Sequence, residues 1–558
     1  MTFAAVGAGP GKAGAGRAGI ALYAAVCVVL CLLAGWLAPD IYWNIDHGQL
    51  LGMAESANAA GTWVTYGLRG THTAEYGPVP ANLQQIALAL GGDLFTAARL
   101  YNVIYFATLA VGVWMLTRLL ALPLGYGLLL LATPVLWTLG RSMWDNTVLF
   151  PTTLLALACY GRFLLTGGRG WLAGAILFCG LVALTHFMGL PLAGAIGVHA
   201  VVRRGRALLK AWVPVAATVL LLGVYATPYL VREKNRLTER LNHSPEGEAA
   251  PAPAAALDEV QALTWISAVP TAYDVPPAYP ARMSRPQAAG FALLGGRLFS
   301  GAAQFFTEPV HAAWLQTAAR IAGGISWVSV PLSWIGLIVL ARRASWRWRV
   351  NPGSDAPAAA ESVTRELGAV IVVAVLLLAG LLAVMRTCPF LHYYHGVMVP
   401  YFVAVAAGAS ALRGAGAWVV GGLVVCLAIL SVQQVVTTLE HPTEIMTLRA
   451  LDAAARPMAG HAADVLDTSS QKLALAPHAL TAIVGYYQHR ATTPPRPTPV
   501  ANVTASGAAF AFSNGELPAG SAYRIRLDRT RRYHAGQQVV ELEHLPAAGA
   551  VSHTRSLP

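Results

Sequence analysis

The sequence predicts a mainly α-helical, polytopic membrane protein of about eleven transmembrane helices with outer loops and a small C-terminal extracytoplasmic α/β domain. Of its 558 residues, 56% are hydrophobic and only 11% are charged, whereas a soluble domain carries about 25% charged residues. Apolar stretches recur up to residue 433, and the remaining residues are polar. We therefore expect a transmembrane domain over 1–433 and a small periplasmic domain over 434–558.

Most apolar stretches are long enough to span a bilayer, which takes about 17–25 residues. The stretch 171–202 differs because it is short for two spans and has basic residues on both flanks. If both flanks are cytoplasmic, the chain must go out and return, so we expect two short helices hinged near His186–Gly189. The other predicted spans are 18–38, 99–119, 123–140, 146–165, 211–231, 321–341, 367–385, 396–412 and 416–433.

The formal net charge of +12 comes from short basic clusters between apolar stretches, as the positive-inside rule expects of cytoplasmic turns. This distribution argues against nucleic acid as a partner. With Lys12 and Arg17 inside, every second turn is basic, which predicts a cytoplasmic N-terminus in a bacterial inner membrane. The predicted outer loops are 39–98, 141–145, 232–318 and 386–395, followed by the tail.

Two outer regions are large. Residues 232–318 begin with a charged, helix-like run, and their amphipathic stretches over 291–306 are expected in the membrane interface. The tail mixes helix-like and strand-like segments, which predicts its α/β character. The helix-like segments are 445–455 and 479–489, and the strand-like ones are 522–528 and 537–545.

The positions of the cysteines do not predict a disulfide framework. Five lie in apolar segments, only Cys388 lies in a predicted outer loop, and no CxxC pair occurs. Neither structural disulfides nor a thiolate metal site is therefore predicted.

The candidate chemistry begins in the first outer loop, 39–98, which contains carboxylates and histidines next to a span. A carboxylate there could take a proton from an acceptor hydroxyl. The structural alternative is that Asp46 only opens an amphipathic helix through Ala60, where the helix dipole favours an acid. The ionisable residues concerned are Asp40, Asp46, His47, Glu55, His72 and Glu75.

Three further polar clusters lie on the same predicted side. The first is Arg141–Asn146, for which an interfacial Trp144 and a helix-capping Asp145 are the structural alternative. The second, Thr185–Gly189, interrupts an apolar stretch, although a lone histidine is usually structural. The third, 386–396, combines Arg386, His392, Tyr393, Tyr394 and His395; it could hold a phosphate or be an interfacial tyrosine belt.

No phosphate loop, dinucleotide fingerprint or nucleophile elbow is present, and the cytoplasmic loops are too short for a nucleotide-binding domain. An activated donor would therefore have to be presented by the membrane.

Taken in order, these motifs resemble membrane glycosyltransferases of the class C fold, in the bacterial branch related to protein mannosyltransferases and the aminoarabinose transferase of lipid A. The resemblance covers roughly residues 18–430. The matching elements are Asp46 with the helix to Ala60, Gly61–Thr65, Glu75–Pro78, Ala97–Leu100, Arg141–Asn146, Thr185–Leu190, and His392–Tyr394 with Pro400.

The resemblance implies inverting transfer of a sugar from a polyprenyl-phosphate donor to a glycan, lipid or protein acceptor at the outer face. Asp46 would be the catalytic base, and Asp145 a second acid that positions the acceptor or a divalent metal ion. Arg386, His392 and Tyr393 would hold the carrier phosphate. The remaining implied substrate contacts are Arg69, His72, Glu75, Arg141 and His186.

Two departures stand out. Relatives often have Lys after the loop glutamate, whereas this chain has Tyr76, and their Asp-Glu pair is Asp46-His47 here. These differences leave open the donor sugar and whether a metal is needed.

Three alternatives remain. One is an oligosaccharide ligase or polymerase that uses basic residues of the large outer loop, namely Arg232, Arg236, Arg240, His243 and His311. Another is a lipid-linked sugar flippase or transporter, although the mid-span charges or internal repeat expected of one are not evident. The last is a non-enzymatic scaffold.

Overall fold

The computed structural model describes the helical region and parts of the tail. The described residues are 13–43, 45–68, 75–242, 284–301, 306, 309–344, 356–386, 391–412, 414–442, 445, 447–459, 483, 486–487, 523–532 and 538–544.

Helices dominate the described part. The first half contains α1 (Ala13–Trp36), α2 (Ile45–Ala59), α3 (Val79–Gly91), α4 (Leu94–Leu119), α5 (Leu128–Leu131), α6 (Asp145–Thr166), α7 (Arg169–Ala183), α8 (Leu190–Lys210) and α9 (Trp212–Asn242). The second half contains α10 (Arg285–Gly290), α11 (Ala313–Ser326), α12 (Ser329–Arg343), α13 (Ala356–Met385), α14 (Met398–Ala411), α15 (Ala415–Glu440) and α16 (Leu448–Ala459). Short 3₁₀ helices lie at Ala38–Asp40, Leu124–Gly127, Phe187–Gly189, Phe291–Phe299 and Leu391–Val397, and a π-helical turn at Leu136–Gly140.

Within these residues, seven helical segments are long and apolar enough to cross a membrane. The predicted span 123–140 is instead broken into short helices around Pro134, and the predicted span 396–412 divides into a 3₁₀ helix and the 14-residue α14. The total of about eleven spans therefore stays a prediction. The candidate segments are Ala18–Trp36, Leu94–Leu119, Asp145–Thr166, Trp212–Arg236, Ala313–Arg343, Ser362–Met385 and Ala415–Glu440.

The predicted break near His186 is present. Helix α7 ends at Ala183, and α8 begins at Leu190 with Pro191 in its first turn, where a missing N–H costs nothing. Between them His186 caps the 3₁₀ turn, its Nδ1 accepting from the Met188 N–H at 3.2 Å. The hinge thus presents its polar residues at a helix end.

Helix packing separates a centre from a periphery. Helix α6 is largely buried, whereas most of the apolar residues of α9 are exposed, as expected of a surface that faces lipid.

Helices α12 and α14 approach closely because Gly336 and Gly408 face each other's backbone. A Cβ at Gly336 would lie 1.7 Å from the Ala404 oxygen, so small residues set this contact.

The amphipathic segment after the undescribed part of the large loop packs one face against the helices. Phe291, Leu298 and Phe299 are each at most 1% exposed, whereas Leu293 is 56% exposed. The Tyr394 and Tyr401 hydroxyls donate to the carbonyls of Phe291 and Ala292. The position of this segment in the membrane interface stays a prediction.

In the tail, α16 overlaps the first helix-like segment. Two antiparallel strands, β1 (Tyr523–Arg532) and β2 (Gln538–His544), overlap the two strand-like segments. Their register pairs Tyr523 with His544. The second helix-like segment, 479–489, lies mostly outside the described residues. A folded α/β domain over 434–558 stays a prediction.

Candidate active site

Two turns meet at the end of the bundle that carries the start of α2 and the start of α6. Arg141 joins them, donating from Nε to the Trp137 oxygen at 2.6 Å and from Nη1 to the Leu37 oxygen at 3.1 Å. Arg141 is fully buried, which lowers its pKa to about 10, while the charge of nearby Asp40 opposes that shift. It therefore stays cationic at neutral pH and fixes one turn against the other.

Asp46 lies in the first turn of α2, where the helix dipole favours a carboxylate. Burial raises the pKa of its carboxyl to about 6, and the nearby Trp144 side chain lowers it in part. The residue as a whole nevertheless remains partly exposed. A carboxylate with a pKa near the working pH is a stronger base than an ordinary aspartate and can still be reached.

His47 is buried beside Asp46, and its ring packs against two tryptophan rings. Its ring lies 5.1 Å from the ring of Trp43 and 5.6 Å from that of Trp144, between centroids. Burial lowers the pKa of His47 to about 3, so the imidazole is neutral. It fixes the position of Trp144, which in turn contacts Asp46.

Asp145 is the second acid of the centre. Its Oδ1 accepts from the Asn146 backbone N–H at 2.7 Å and the Asn146 amide at 3.0 Å. Its Oδ2 and the Asn146 Oδ1 are buried and lack a hydrogen-bond partner in the part of the chain that the structure describes. Its charge acts on that of Asp46. The two acids thus lie close together, and unused acceptors adjoin them.

These unused oxygen acceptors bear on whether the site binds a metal ion, which the resemblance left open. Carboxylate and amide oxygens are the ligands that Mg²⁺ and Mn²⁺ prefer, and Asp46, Asp145 and Asn146 could supply them. No group of three or more histidine, cysteine or acidic residues with metal-site geometry occurs among the residues searched, which were the described ones. A metal held here would need further oxygen ligands, and a divalent ion stays a proposal.

Glu75 is engaged elsewhere. Arg232, on α9, donates from Nε to Oε2 at 2.7 Å and from Nη2 to Oε1 at 3.1 Å, and its guanidinium lies 3.7 Å from the centre of the Tyr66 ring. Tyr229 also donates to the Glu75 carbonyl at 2.8 Å. Both carboxylate oxygens are therefore in use, so the expected substrate contact would require this pair to open.

A second cluster surrounds Tyr76, the residue at which this sequence departs from the lysine of the resembling transferases. The Tyr76 ring lies 4.1 Å from that of His186, which stacks on Phe187 at 4.5 Å. His395 is close enough to act electrostatically on His186. Gly77 permits the approach, because a Cβ there would lie 2.1 Å from the Leu184 oxygen. Three sequence motifs far apart in the chain therefore meet here, around rings rather than around a charge.

Arg297 is a residue that sequence reasoning missed. It is fully buried, and its three guanidinium nitrogens lack hydrogen-bond partners among the described residues. The guanidinium lies 5.7 Å from the Phe291 ring and 5.1 Å from the Tyr394 ring. An unpaired buried cation is costly, so it marks a position where an anion can bind. The available signal was a lone arginine in an apolar run.

Residues close to Arg297 contact segments that lead to the acidic centre. The carbonyl of Leu298 accepts from Thr133 at 2.9 Å, in the segment that leads into Arg141 and Asp145. Phe306 reaches the ring of Tyr42 at 5.9 Å. The 3₁₀ helix containing Tyr394 packs on α6, which begins at Asp145.

The other predicted phosphate contacts are less defined. Arg386 is exposed and has a φ of 56°, just beyond the end of α13. Arg69 and His72 lie outside the described residues, as do the side chains of His392 and Tyr393.

Comparison with known proteins leaves the function to be argued from this geometry. No known protein-family profile matches the chain, and no curated protein matches it. Among solved structures, the chain is similar to the crystal structure of ArnT from Cupriavidus metallidurans in the apo state. That similarity has 17% sequence identity and a TM-score of 0.44, and it covers 95% of this chain and 98% of that one. At these values the likeness assigns no activity and no residue role.

Proposed function

We propose that this chain is a membrane glycosyltransferase that moves a sugar from a polyprenyl-phosphate donor to an acceptor at the outer face of the bacterial inner membrane. The observation that carries the proposal is the pair Asp46 and Asp145. One acid is partly exposed with a pKa raised to about 6, and the other has an unused buried oxygen. A base for a hydroxyl and a group to orient that hydroxyl are what such a transfer requires.

In the proposed reaction, the Asp46 carboxylate takes the proton of the acceptor hydroxyl as its oxygen attacks the anomeric carbon. The bond from that carbon to the phosphate oxygen breaks, and polyprenyl phosphate leaves with the electron pair. A single displacement inverts the anomeric configuration. Asp145 accepts a hydrogen bond from a neighbouring hydroxyl of the acceptor, and the proton on Asp46 then passes to water.

The leaving phosphate needs a cation, and Arg297 supports the proposal by being buried and unpaired within the described residues. Its planar guanidinium suits phosphate oxygens. Tyr76 replaces the lysine expected after Glu75, so the charge would come from a different part of the chain.

The ligase alternative gains no comparable support. Arg232 is paired with Glu75, and Arg236 with Glu233 at 3.0 Å. His311 is exposed beside Glu440. These three basic groups are spread along a helix and a loop, and each already has a carboxylate partner. The side chain of Arg240 and the whole of His243 lie outside the described residues.

The test is Asp46→Asn in proteoliposomes supplied with radiolabelled polyprenyl-phosphate sugars and an envelope extract as acceptor. Losing the base should lower transfer by about 10²–10⁴-fold, while carrier binding is retained. The matched control is Asp93→Asn, at the exposed N-cap of α4, where asparagine caps equally well. Full activity in Asp46→Asn would refute the proposal.

A further inference from the structure

A cavity lies along helix α2, beyond the acidic centre. Its volume is about 390 Å³, and it is lined by α2 and by the extended segment that follows it. We refer to it as the α2 groove. Its lining residues are Gly52, Met53, Ser56, Ala57, Thr62, Trp63, Val64, Thr65 and Tyr66.

The wall of the groove is held rigidly by α3. Gln85 donates to the Thr62 carbonyl at 2.6 Å and accepts from the Val64 N–H at 3.3 Å. Asn82 donates to the Val64 carbonyl at 2.9 Å. The backbone reverses at Gly61, whose φ of 63° favours glycine. The extended segment is thus fixed before any ligand arrives, which lowers the entropic cost of binding.

The lining suits a neutral, hydroxyl-rich ligand. Among the described residues, it contains no charged side chain but several hydroxyls, those of Ser56, Thr62 and Thr65, beside two aromatic rings. Trp63 is 63% exposed, although a large ring usually gains by burial. A sugar ring offers C–H groups for such a face and hydroxyls for its rim. The nearby cation, Arg232, is already paired with Glu75.

A membrane surface is a poorer occupant. A helix that lies in the interface presents large apolar side chains such as Trp, Phe and Leu to the lipid. The exposed positions of α2 are instead Gln49, Gly52, Ser56 and Ala59. These residues are small or polar and offer little area for insertion.

The groove lies on the same face of α2 as the proposed base. Asp46, Gln49, Met53 and Ser56 follow one another at helical spacing, and all are at least partly exposed. Since an α-helix rises 1.5 Å per residue, Asp46 and Met53 are about 10 Å apart along the axis. One sugar cannot reach both positions, but a short oligosaccharide can.

We propose that the α2 groove binds a neutral sugar unit of the acceptor, so that the acceptor is an oligosaccharide or the glycan of a glycolipid. This rests on the proposed function, which puts the reacting hydroxyl at Asp46. Trp63 stacks on a sugar located away from the reacting one, and the hydroxyl residues hold its rim.

The proposal is tested by ¹⁹F NMR of the full chain labelled with 6-fluorotryptophan in lipid nanodiscs, with Trp63→Phe assigning the Trp63 signal. The probes are maltotriose, cellotriose and chitotriose, each compared with its monosaccharide. At least one trisaccharide should shift the Trp63 signal saturably, and its monosaccharide should bind more weakly. Thr65→Val should weaken binding about two- to tenfold, the value of one hydrogen bond. The Trp418 signal, from a residue 84% exposed on an apolar helix, should not move.

Two results would overturn the proposal. One is the absence of any saturable Trp63 shift with the three trisaccharides. The other is that a doxyl-labelled lipid broadens Trp63 as strongly as Trp418, which would make Trp63 a membrane anchor. Because binding is measured without turnover, an active Asp46→Asn variant that still binds trisaccharide would refute the transfer reaction and leave the groove intact.

Discussion

Arg449 donates two hydrogen bonds to Asp40, from Nε to Oδ1 at 2.7 Å and from Nη2 to Oδ2 at 3.0 Å. The backbone reinforces this pair, since the Leu448 N–H donates to the Ile41 carbonyl at 2.9 Å and Tyr42 bridges to Thr447. Asp40 in turn acts on Arg141. The start of the tail is therefore attached to the turn that precedes Asp46.

We expect charge reversal at this pair to test whether the tail positions the acidic centre. Asp40→Arg and Arg449→Asp should each lower the maximal transfer rate more than they change the KM for donor, because they displace Asp46 and Arg141 rather than remove a ligand contact. The double reversal should recover only part of the activity, because Asp40→Arg still places a cation near Arg141. Arg449→Lys should be intermediate since lysine lacks the bidentate geometry. Equal losses in the single and double variants would contradict this coupling.

The pH dependence of transfer should report Asp46. The general base must be ionised, and its pKa is raised to about 6, so kcat/KM should fall as the pH drops below that value. Trp144→Phe removes the indole N–H of the side chain that lowers this pKa, so its profile should shift to higher pH. A wild-type midpoint near about 4, the ordinary value for aspartate, or a shift of the variant in the opposite direction would contradict the assignment.

Arg297 should show opposite effects on stability and binding. Arg297→Met keeps much of the side-chain volume and removes an unpaired buried charge, which we expect to be neutral or to stabilise the fold by about 1–4 kcal/mol. The same change should abolish binding of polyprenyl phosphate, measured by thermal shift in detergent with and without the lipid. Arg342→Met, at an exposed arginine in the last turn of α12, is the comparison. A lower melting temperature with unchanged lipid binding would show that Arg297 is structural.

Glu75 and Arg232 should behave as a structural pair. Glu75→Gln and Arg232→Gln are expected to have similar, small effects on stability and transfer, and the double variant should add little. An ion pair of this exposure contributes about 0.2–1 kcal/mol, and Arg232 is 46% exposed in its side chain. If Glu75→Gln lowers transfer far more than Arg232→Gln does, Glu75 contacts substrate, as the resemblance implied.

Local signals in the sequence were enough for the helical elements and the break at His186. Apolar length predicts a span when it is uninterrupted, as in α4 or α15, because each helix satisfies its own backbone. The same criterion failed over 123–140, where Pro134 and a π-helical turn divide the apolar stretch. Tertiary packing, rather than lipid, then satisfies the freed backbone, for example where the Ser431 hydroxyl donates to the Ala132 carbonyl at 2.7 Å.

The sequence by itself was enough to predict a strongly apolar, helical chain and most of its helical segments, since these depend on composition and on the length of apolar stretches. The choice of Asp46 and Asp145 as candidate acids came from the resemblance of the motifs and their order. Only the tertiary structure decided which charged side chains pair with one another. It paired Glu75 with Arg232 and Asp40 with Arg449, placed Trp144 beside Asp46, and left Arg297 buried without a hydrogen-bond partner among the described residues. Pairing depends on distances between residues far apart in the chain, so no local pattern contains it.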